Sequence, residues 1–506
     1  MELLGRILKG TVRYRRKVND TKKKYDYKLH DLYLKKLLEK AKKTEFGKKY
    51  GFKEILKDKN IYESFASRVP IYDYDKLYKE WWHKTLDNKK DITWPGKIKY
   101  FALTSGTSGA PSKRIPVSDD MIQSIKRTSL RQMLIMDDLE IEKSFFKKQM
   151  LILGGSTKLQ EVNGHFEGDL SGILAKKIPL WFVRFSRPNK MISGIRDWSE
   201  KLDKMVEEAP KWDIGIISGV PAWVQLLMDK IIKRHGLNSI HDIWPNFKIY
   251  VHGGVAFEPY KESFKKLLSQ DIIYLETYLA SEGFIAYENG VNLQGMQLSL
   301  NKGLYFEFIP FNENNFDEDG NLRENPEVLP LKKVKEGIDY ALLLSTCSGT
   351  WRYLIGDTVQ FTSLLDYEIK ITGRTKHFLS LCGEHLSVDN MNKAIELTSK
   401  ELDVSIKEFT VFGGREDIHF FHNWFIGIEE DVEDELLKNT LDKHLHALNA
   451  DYATERTSAL KYMRVNQIPH QKFIDFLAQK GKLGGQHKFP RVIKGQLKED
   501  WLSFLE

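Results

Sequence analysis

Between Gln149 and Tyr278 the chain alternates short apolar runs with amphipathic ones, and this rhythm restricts the fold more than any other feature. "QMLILGG", "WDIGIISGVP", "FKIYVHGG" and "DIIYLETY" have the length and aliphatic content of buried strands. Between the first two, "RDWSEKLDKMVEEAP" sets Trp198, Leu202, Met205 and Val206 on one helical face and stops at Pro210. "AWVQLLMDKIIKRHG" reads as a second helix, closed by Gly236, and "EPYKESFKKLL" as a third. Repeated strand–helix units predict an α/β layered core with a largely parallel sheet. Ligands on such sheets gather at the carboxyl ends of the strands. Those ends carry "GGS", "SGVP", "HGG" and "TYLASEG".

From Gly303 the texture turns to hairpin-like runs, "GLYFEFIP", "DYALLLST", "DTVQFTSL" and "YEIKITG", which predict a β-rich subdomain. The polar stretch "NENNFDEDGNLRENPE" reads as an exposed loop. Beyond Gly373, "KEFTVF", "FHNWFIGIE" and "EDELLKNTLDKHLHALN" predict a smaller α+β unit. The expected division is a large domain over 1–373 and a small mobile one over 374–506, with the boundary near Gly373 to His377. A chain of 506 residues, 41% apolar and 29% charged, has the length and composition for both.

Composition narrows the functional classes. Two cysteines, Cys347 and Cys382, are too few for a disulfide framework and do not stand at zinc-ligand spacing. They read as small buried hydrophobes in a reducing compartment. No signal-peptide core and no long apolar run is apparent, so a cytoplasmic location is expected. The net charge of +8 is concentrated at the start, where Met1–Lys43 holds fifteen lysines and arginines against five acidic residues. Such a segment would suit an acidic membrane surface or nucleic acid. Yet "LHDLYLKKLLEKAKK", with Leu29, Leu32, Leu37 and Leu38 near helical spacing, equally describes a helix packed on the body with a solvated basic face.

The stretch "ALTSGTSGAPSKRIPVS" carries the most chemistry. Strand-like "KYFALT" precedes it, and a helix with Ser118 as N-cap follows. Gly106 and Gly109 permit tight turns whose N–H groups can converge on an anion. Thr104, Ser105, Thr107 and Ser108 add hydroxyl donors, and Lys113 adds a cation on a flexible stem. The spacing is not that of a Walker P-loop, and taken alone a hydroxyl- and Gly-rich stretch is more often just a loop. Downstream, Glu282 in "YLASE" stands where a carboxylate could hold Mg²⁺ against phosphates. Asp357 in "RYLIGD" could face ribose hydroxyls, and Gly253–Gly254 in "VHGG" offers a flat turn for an adenine. Each has a bland alternative: Glu282 as a helix cap and Asp357 as a turn residue.

The order and separation of these motifs resemble the adenylate-forming superfamily, and within it the auxin-responsive Gretchen Hagen family of acyl-acid amido synthetases, as a bacterial-type member. The resemblance runs from "TEFGKKYGF" to "QHKFPRV", and the stretch from Gly373 through Arg374 to Gly383 has the spacing of the superfamily hinge. It implies ATP and Mg²⁺, and two half-reactions: a carboxylic acid becomes an acyl-adenylate, then an amine, such as an amino acid, displaces AMP. It also implies roles at matching positions. Ser105, Gly106, Thr107, Ser108, Thr104 and Lys113 would meet the phosphates. Glu282 would hold the metal, while Gly253, Gly254, Tyr278 and Ser281 would line the AMP site. Asp357 would bind ribose, Arg374 would steady the nucleotide, and Lys376 would stand at the hinge. Lys488 is the candidate for a mobile C-terminal lysine. Many plant members have an Arg where this chain has Leu354, leaving Arg352 as a possible substitute.

Other residues carry less. His419, His422, His444 and His446 lack convincing ligand company and read as surface or strand histidines. Trp181, Phe182, Phe185 and Trp223 fit an acyl pocket and core packing equally well. Three rival functions remain: a coenzyme A ligase sharing the first half-reaction, a non-catalytic nucleotide-binding protein, and a membrane or nucleic-acid module resting on the basic N-terminus alone.

Overall fold

Four parallel strands form where the alternation predicts them: Gln149–Leu153, Ile214–Gly219, Ile249–Gly253 and Ile273–Ala280. They lie side by side in that order. These positions belong to a computed structural model that describes residues 27–506, except 105–112, 138, 140, 143, 255–256, 258–259, 291–292, 318–319, 376–378, 380, 382–383, 385, 417–418, 450–451, 454–455, 457–459 and 483–488. The helix Trp198–Glu208 buries Trp198, Leu202, Met205 and Val206, and Pro210 falls in the 3-10 turn that ends it. The helix Pro221–His235 stops at Gly236, whose φ of 63° is the left-handed conformation that glycine adopts without a Cβ clash. Both helices share one apolar cluster with Leu151, Leu153, Ile217 and Tyr250. Burial of this kind stabilises the fold by roughly 1.5–3 kcal/mol per large side chain.

The hairpin-like runs do not form a layer of their own. Leu304–Pro310, Asp339–Thr346, Tyr353–Ser363 and Glu368–Arg374 pair antiparallel and continue the parallel strands through Met296–Leu298 and Gly283–Tyr287. The result is one twelve-stranded sheet. Four strand spacings separate Ile273–Ala280 from Tyr353–Ser363 along it, which would be about 19 Å in a flat sheet. The Tyr278 hydroxyl nevertheless donates to Asp357 Oδ2, so the sheet curls until the two halves face each other. Met296–Leu298 makes this possible by pairing only with the Glu368–Ile369 end of its neighbour, which leaves the Asp357–Arg374 end open.

A smaller sheet carries Tyr100–Leu103 between Arg114–Val117 and His165–Gly168. Arg114–Val117 is a strand that the sequence reading did not separate from the loop before it. The helix Asp119–Gln132 follows with Ser118 as its N-cap, accepting from the Met121 N–H at 3.0 Å. At the start of the described chain, the helix Tyr27–Ala41 buries His30, Leu34, Leu37, Leu38 and Ala41. Leu29 and Leu32, expected on the packed stripe, are 44% and 53% exposed, so the true stripe runs from His30. The polar Asn312–Glu327 stretch is also pinned more firmly than an exposed loop. Phe316 is buried against Phe311, and Asn315 donates to the Pro310 carbonyl at 2.9 Å.

After Arg374 the chain leaves the large sheet. Glu408–Glu416 and His419–Gly427 pair antiparallel, and Leu460–Ile468 joins parallel to the second. Helices Val388–Leu402 and Asp434–Leu448 contribute to one cluster on this sheet, while Gln471–Gln479 and Gly495–Leu505 contribute Phe473, Phe476 and Trp501 to another. Among the described residues no helix is long and apolar enough to cross a membrane.

Candidate functional site

A cleft of about 2350 Å³ opens at the carboxyl ends of the parallel strands, where Leu153, Gly219, Gly253 and Ala280 all line it. Its walls reach across to the small domain at Phe476, Lys480 and Arg491. Thr104, Lys113, Gly253, Gly254, Tyr278, Ser281, Glu282, Asp357 and Arg374, singled out in the sequence, line this one cleft. Ser105, Gly106, Thr107, Ser108, Lys376 and Lys488 lie outside the described residues.

Strand pairing sets the centre of the site. Asp357 and Arg374 are direct cross-strand partners, and Arg374 Nε donates to Asp357 Oδ1 at 2.8 Å. With Tyr278 on Oδ2, both oxygens of Asp357 are engaged, though a carboxylate retains further lone pairs for a ligand. Arg374 keeps 48% of its side chain exposed, and the Asp357 charge raises its pKa further. Burial and the Asp357 charge push the Tyr278 phenol well above its ordinary value, so it remains a donor.

Glu282 is neither a helix cap nor a strand residue. Ser281 and Glu282 form the two-residue turn between Ile273–Ala280 and Gly283–Tyr287. The side chain is 7% exposed, and burial, reinforced by Asp357, lifts its pKa to about 7. Lys113 and Arg374 pull the other way from a distance. The Tyr353 hydroxyl hydrogen-bonds to it. Among the described residues Glu282 has no ion-pair partner. A buried carboxylate without an ion pair, which burial makes hard to ionise, is a site that a cation would complete.

The chain on either side of residues 105–112 comes together in a narrow neck. Leu103 pairs with Arg114, and the Thr104 N–H donates to the Lys113 carbonyl at 3.0 Å. Lys113 Nζ sits 5.2 Å from the Tyr74 ring centroid, and desolvation lowers its pKa while Glu282 partly restores it. Arg114 anchors the neck to Glu167 at 2.8 Å, and His165 shares the same carboxylate at 2.9 Å. Burial acts to raise Glu167, but these two partners prevail and hold it below the usual carboxylate range. Gly253 is required by packing, since a Cβ there would stand 2.2 Å from the Thr277 carbonyl oxygen. Gly254 has a φ of 87°, in the glycine-favoured region.

Several candidates take other roles. Arg352 is 4% exposed and bound to Glu307 at 3.0 Å, with Ala66 and Val69 carbonyls as further partners, so it supplies no cation to the cleft. Leu354 does line it. Phe182 and Phe185 face the cleft, whereas Trp223 is buried against Trp198 at 5.1 Å between ring centroids. The side chains of Trp181 and His419 lie outside the described set. His422 is fully buried on Glu384, His444 pairs with Glu401, and His446 lies 3.8 Å from Asp442. Cys347 is buried, with its thiol pushed up to about 12, and Cys382 is outside the described residues. The sequence reading did not assign Tyr353, Tyr74 or the Arg114–Glu167–His165 network to the site. Tyr353 was within reach, three residues before Gly356 in the quoted "RYLIGD".

Comparison with known proteins points the same way as the geometry. The chain matches the GH3 family N-terminal domain over residues 16–202 and 160–273, the central domain over 297–374 and the C-terminal domain over 389–496. An indole-3-acetic acid-amido synthetase, GH3.4 of Arabidopsis thaliana, is 22% identical over 91% of this chain and 88% of its own. A jasmonoyl–L-amino acid synthetase of Nicotiana attenuata, JAR6, is 22% identical over 92% and 91% respectively. Among solved structures, the AtGH3.15 acyl acid amido synthetase in complex with 2,4-DB superposes with a TM-score of 0.75, at 16% identity and 94% and 93% coverage. A 2-hydroxyisobutyryl-CoA ligase in its postadenylation state gives 0.58, at 13% identity and 94% and 91% coverage. The fold is therefore the one these structures share.

Proposed function

The chain belongs to the GH3 family, and from that premise we propose that it is an ATP-dependent acyl-acid amido synthetase. It adenylates a carboxylic acid and then transfers the acyl group to an amine, an amino acid being the expected acceptor. The observation that carries this reading is the convergence of Tyr278, Asp357, Arg374, Glu282 and Lys113 on one cleft from strands distant in sequence. No nucleophile from the protein is needed. The work is alignment of two substrates and neutralisation of charge that grows on phosphate oxygens.

Asp357 accepts from the ribose hydroxyls through its remaining lone pairs, while Tyr278 and Arg374 fix its orientation. Arg374 and Lys113 present positive charge toward the phosphates, and the N–H and hydroxyl groups of residues 105–112 are the donors expected to join them. Gly253–Gly254 lets the base approach the strand end closely. Glu282 would hold Mg²⁺, which when bound would supply charge neutralisation and Lewis-acid polarisation at the triphosphate. Glu282 fits this role as a buried carboxylate without an ion-pair partner among the described residues, and it must lose its proton to take it. Lys488 serves as a cationic group delivered by the small domain. The boundary at 374 and rotation about Gly373–His377 let the same cleft serve both half-reactions.

The test is ATP–pyrophosphate exchange across a carboxylic-acid library, followed by mass spectrometry of products formed with amino acids and coenzyme A in competition. Acid-dependent exchange that requires Mg²⁺, together with amide products, is the expected result. Exclusive thioester formation would move the reading to a coenzyme A ligase. Absence of both ATP binding and exchange would refute an enzymatic role.

A further inference from the structure

The parallel half of the large sheet is covered unequally. On its helix-packed face Leu151, Leu153, Ile217 and Tyr250 are at most 4% exposed. On the other face the alternating residues Met150, Ile152, Ile216 and Val251 stay only partly buried and line the cleft. Parallel sheets normally have both faces covered; here Ile135, Met136, Ile141 and Phe145 cover the far end of this face at Ile249 and Leu275, and Met150, Ile152, Ile216 and Val251 are left only partly covered. Met133, Leu134, Phe146, Leu174, Phe182 and Phe185 line the same cleft. Leu130 and Leu279 also line the cleft and are 44% and 37% exposed. Exposed aliphatic surface concentrated inside a concavity marks a place for an apolar ligand.

The shape of this arm sets the length of what fills it. It begins where Gly253 pairs with Thr277, beside the nucleotide groups, and is closed at Ile249, which is 1% exposed and packed in one cluster with Ile135 and Phe145. Four residues of strand span about 13 Å. The cations along the arm are held by the protein itself. Lys126 Nζ donates to the Lys177 carbonyl at 2.7 Å, and Lys148 pairs with Asp213 at 2.8 Å. Thioethers at Met133, Met136 and Met150 give the wall a lining that adapts to a flexible chain.

We propose that the acid this chain activates is an extended aliphatic carboxylic acid of about eight to twelve carbons, matched to that 13 Å arm. Its carboxylate sits at the Gly253–Thr277 end and its chain lies along Val251 and Ile216 toward Ile249. The assignment rests on the adenylation reading, since it is continuity with the nucleotide groups that identifies the carboxylate end.

The test pairs two readouts on the full chain. Straight-chain acids from butanoate to tetradecanoate, with benzoate and indole-3-acetate for comparison, are scored by ATP–pyrophosphate exchange and, without nucleotide, by thermal shift. Each added methylene should raise kcat/KM about three- to fourfold, levelling near ten carbons. Val251→Phe, which places a ring across the middle of the arm, should lower the decanoate-to-hexanoate ratio of kcat/KM at least about tenfold. Length-dependent exchange with this ratio change supports the proposal. Length-dependent binding without exchange supports the arm as the aliphatic site and overturns adenylation. Length-independent exchange, or preference for benzoate, overturns the proposal and leaves adenylation standing. A flat response in both readouts overturns both.

Discussion

Glu282 should weaken the ligand-free fold at the pH where the protein works, and replacing it by glutamine should reveal this. Its carboxyl is 7% exposed, and burial raises its pKa from 4.5 to about 7. The folded protein therefore holds this proton more tightly than the unfolded chain does. Below about pH 4.5 both states are protonated and the contribution is fully present. As pH rises from there, the unfolded chain ionises first and folding loses stability, until the loss levels off above about pH 7. A shift from 4.5 to about 7, at about 1.4 kcal/mol per unit, makes the total about 3 kcal/mol. Glu282→Gln keeps the shape and a hydrogen-bond acceptor for Tyr353 but never ionises. At pH 8 it should melt about 3–5 °C above the wild type, and near pH 4.5 the gap should nearly vanish. Differential scanning calorimetry of both proteins without nucleotide, at several pH values, measures this directly. The same variant should lose Mg²⁺-dependent pyrophosphate exchange by about a hundred-fold or more. A gap that is absent, reversed or unchanged between the two pH values would refute the reasoning about burial at this turn.

Three further outcomes separate function from scaffold. Asp357→Ala should weaken ATP binding about a hundred-fold or more in calorimetric titration, through loss of charge-assisted bonds at roughly 1.5–3 kcal/mol each, while Asp357→Asn should lose less; wild-type affinity in the alanine variant would remove the ribose assignment. Arg352→Met leaves Glu307 buried without its cation and should cost about 3–5 kcal/mol in denaturant unfolding, with ATP affinity of the folded fraction unchanged; a large loss of nucleotide affinity at preserved stability would return Arg352 to the site. Gly253→Ala drives a Cβ to 2.2 Å from the Thr277 oxygen, so the Ile249–Gly253 and Ile273–Ala280 strands must part; both the melting temperature and exchange should fall, and an unaffected variant would contradict the close approach.

Periodicity carried most of the fold, because each parallel strand and its following helix announces itself within a few residues. The packed faces of Trp198–Glu208 and Pro221–His235 were legible for this reason. The Tyr27–Ala41 stripe was misread by phase, since its first buried member is His30, which ring stacking on Tyr305 and the N–H of Phe306 accommodate in the core. The fusion of parallel and antiparallel strands into one sheet has no local signature. It depends on Met296–Leu298, a three-residue strand that bridges the two textures.

The site divides in the same way. Chemistry-bearing residues beside glycines at strand ends could be read, because a turn and a reactive side chain leave adjacent marks in the sequence. Their mutual contacts could not, because Tyr278 meets Asp357 only through the curl of the sheet, across 79 positions of chain. Arg352 shows the limit from the other side. Two residues from the Leu354 position it looked able to replace, it points instead into a buried ion pair with Glu307, since residues two apart face the same way only while the strand is regular. Its φ of 41° breaks that alternation before Tyr353 begins the strand. Side-chain direction there is a property of backbone conformation at one residue, and such a property becomes legible only in three dimensions.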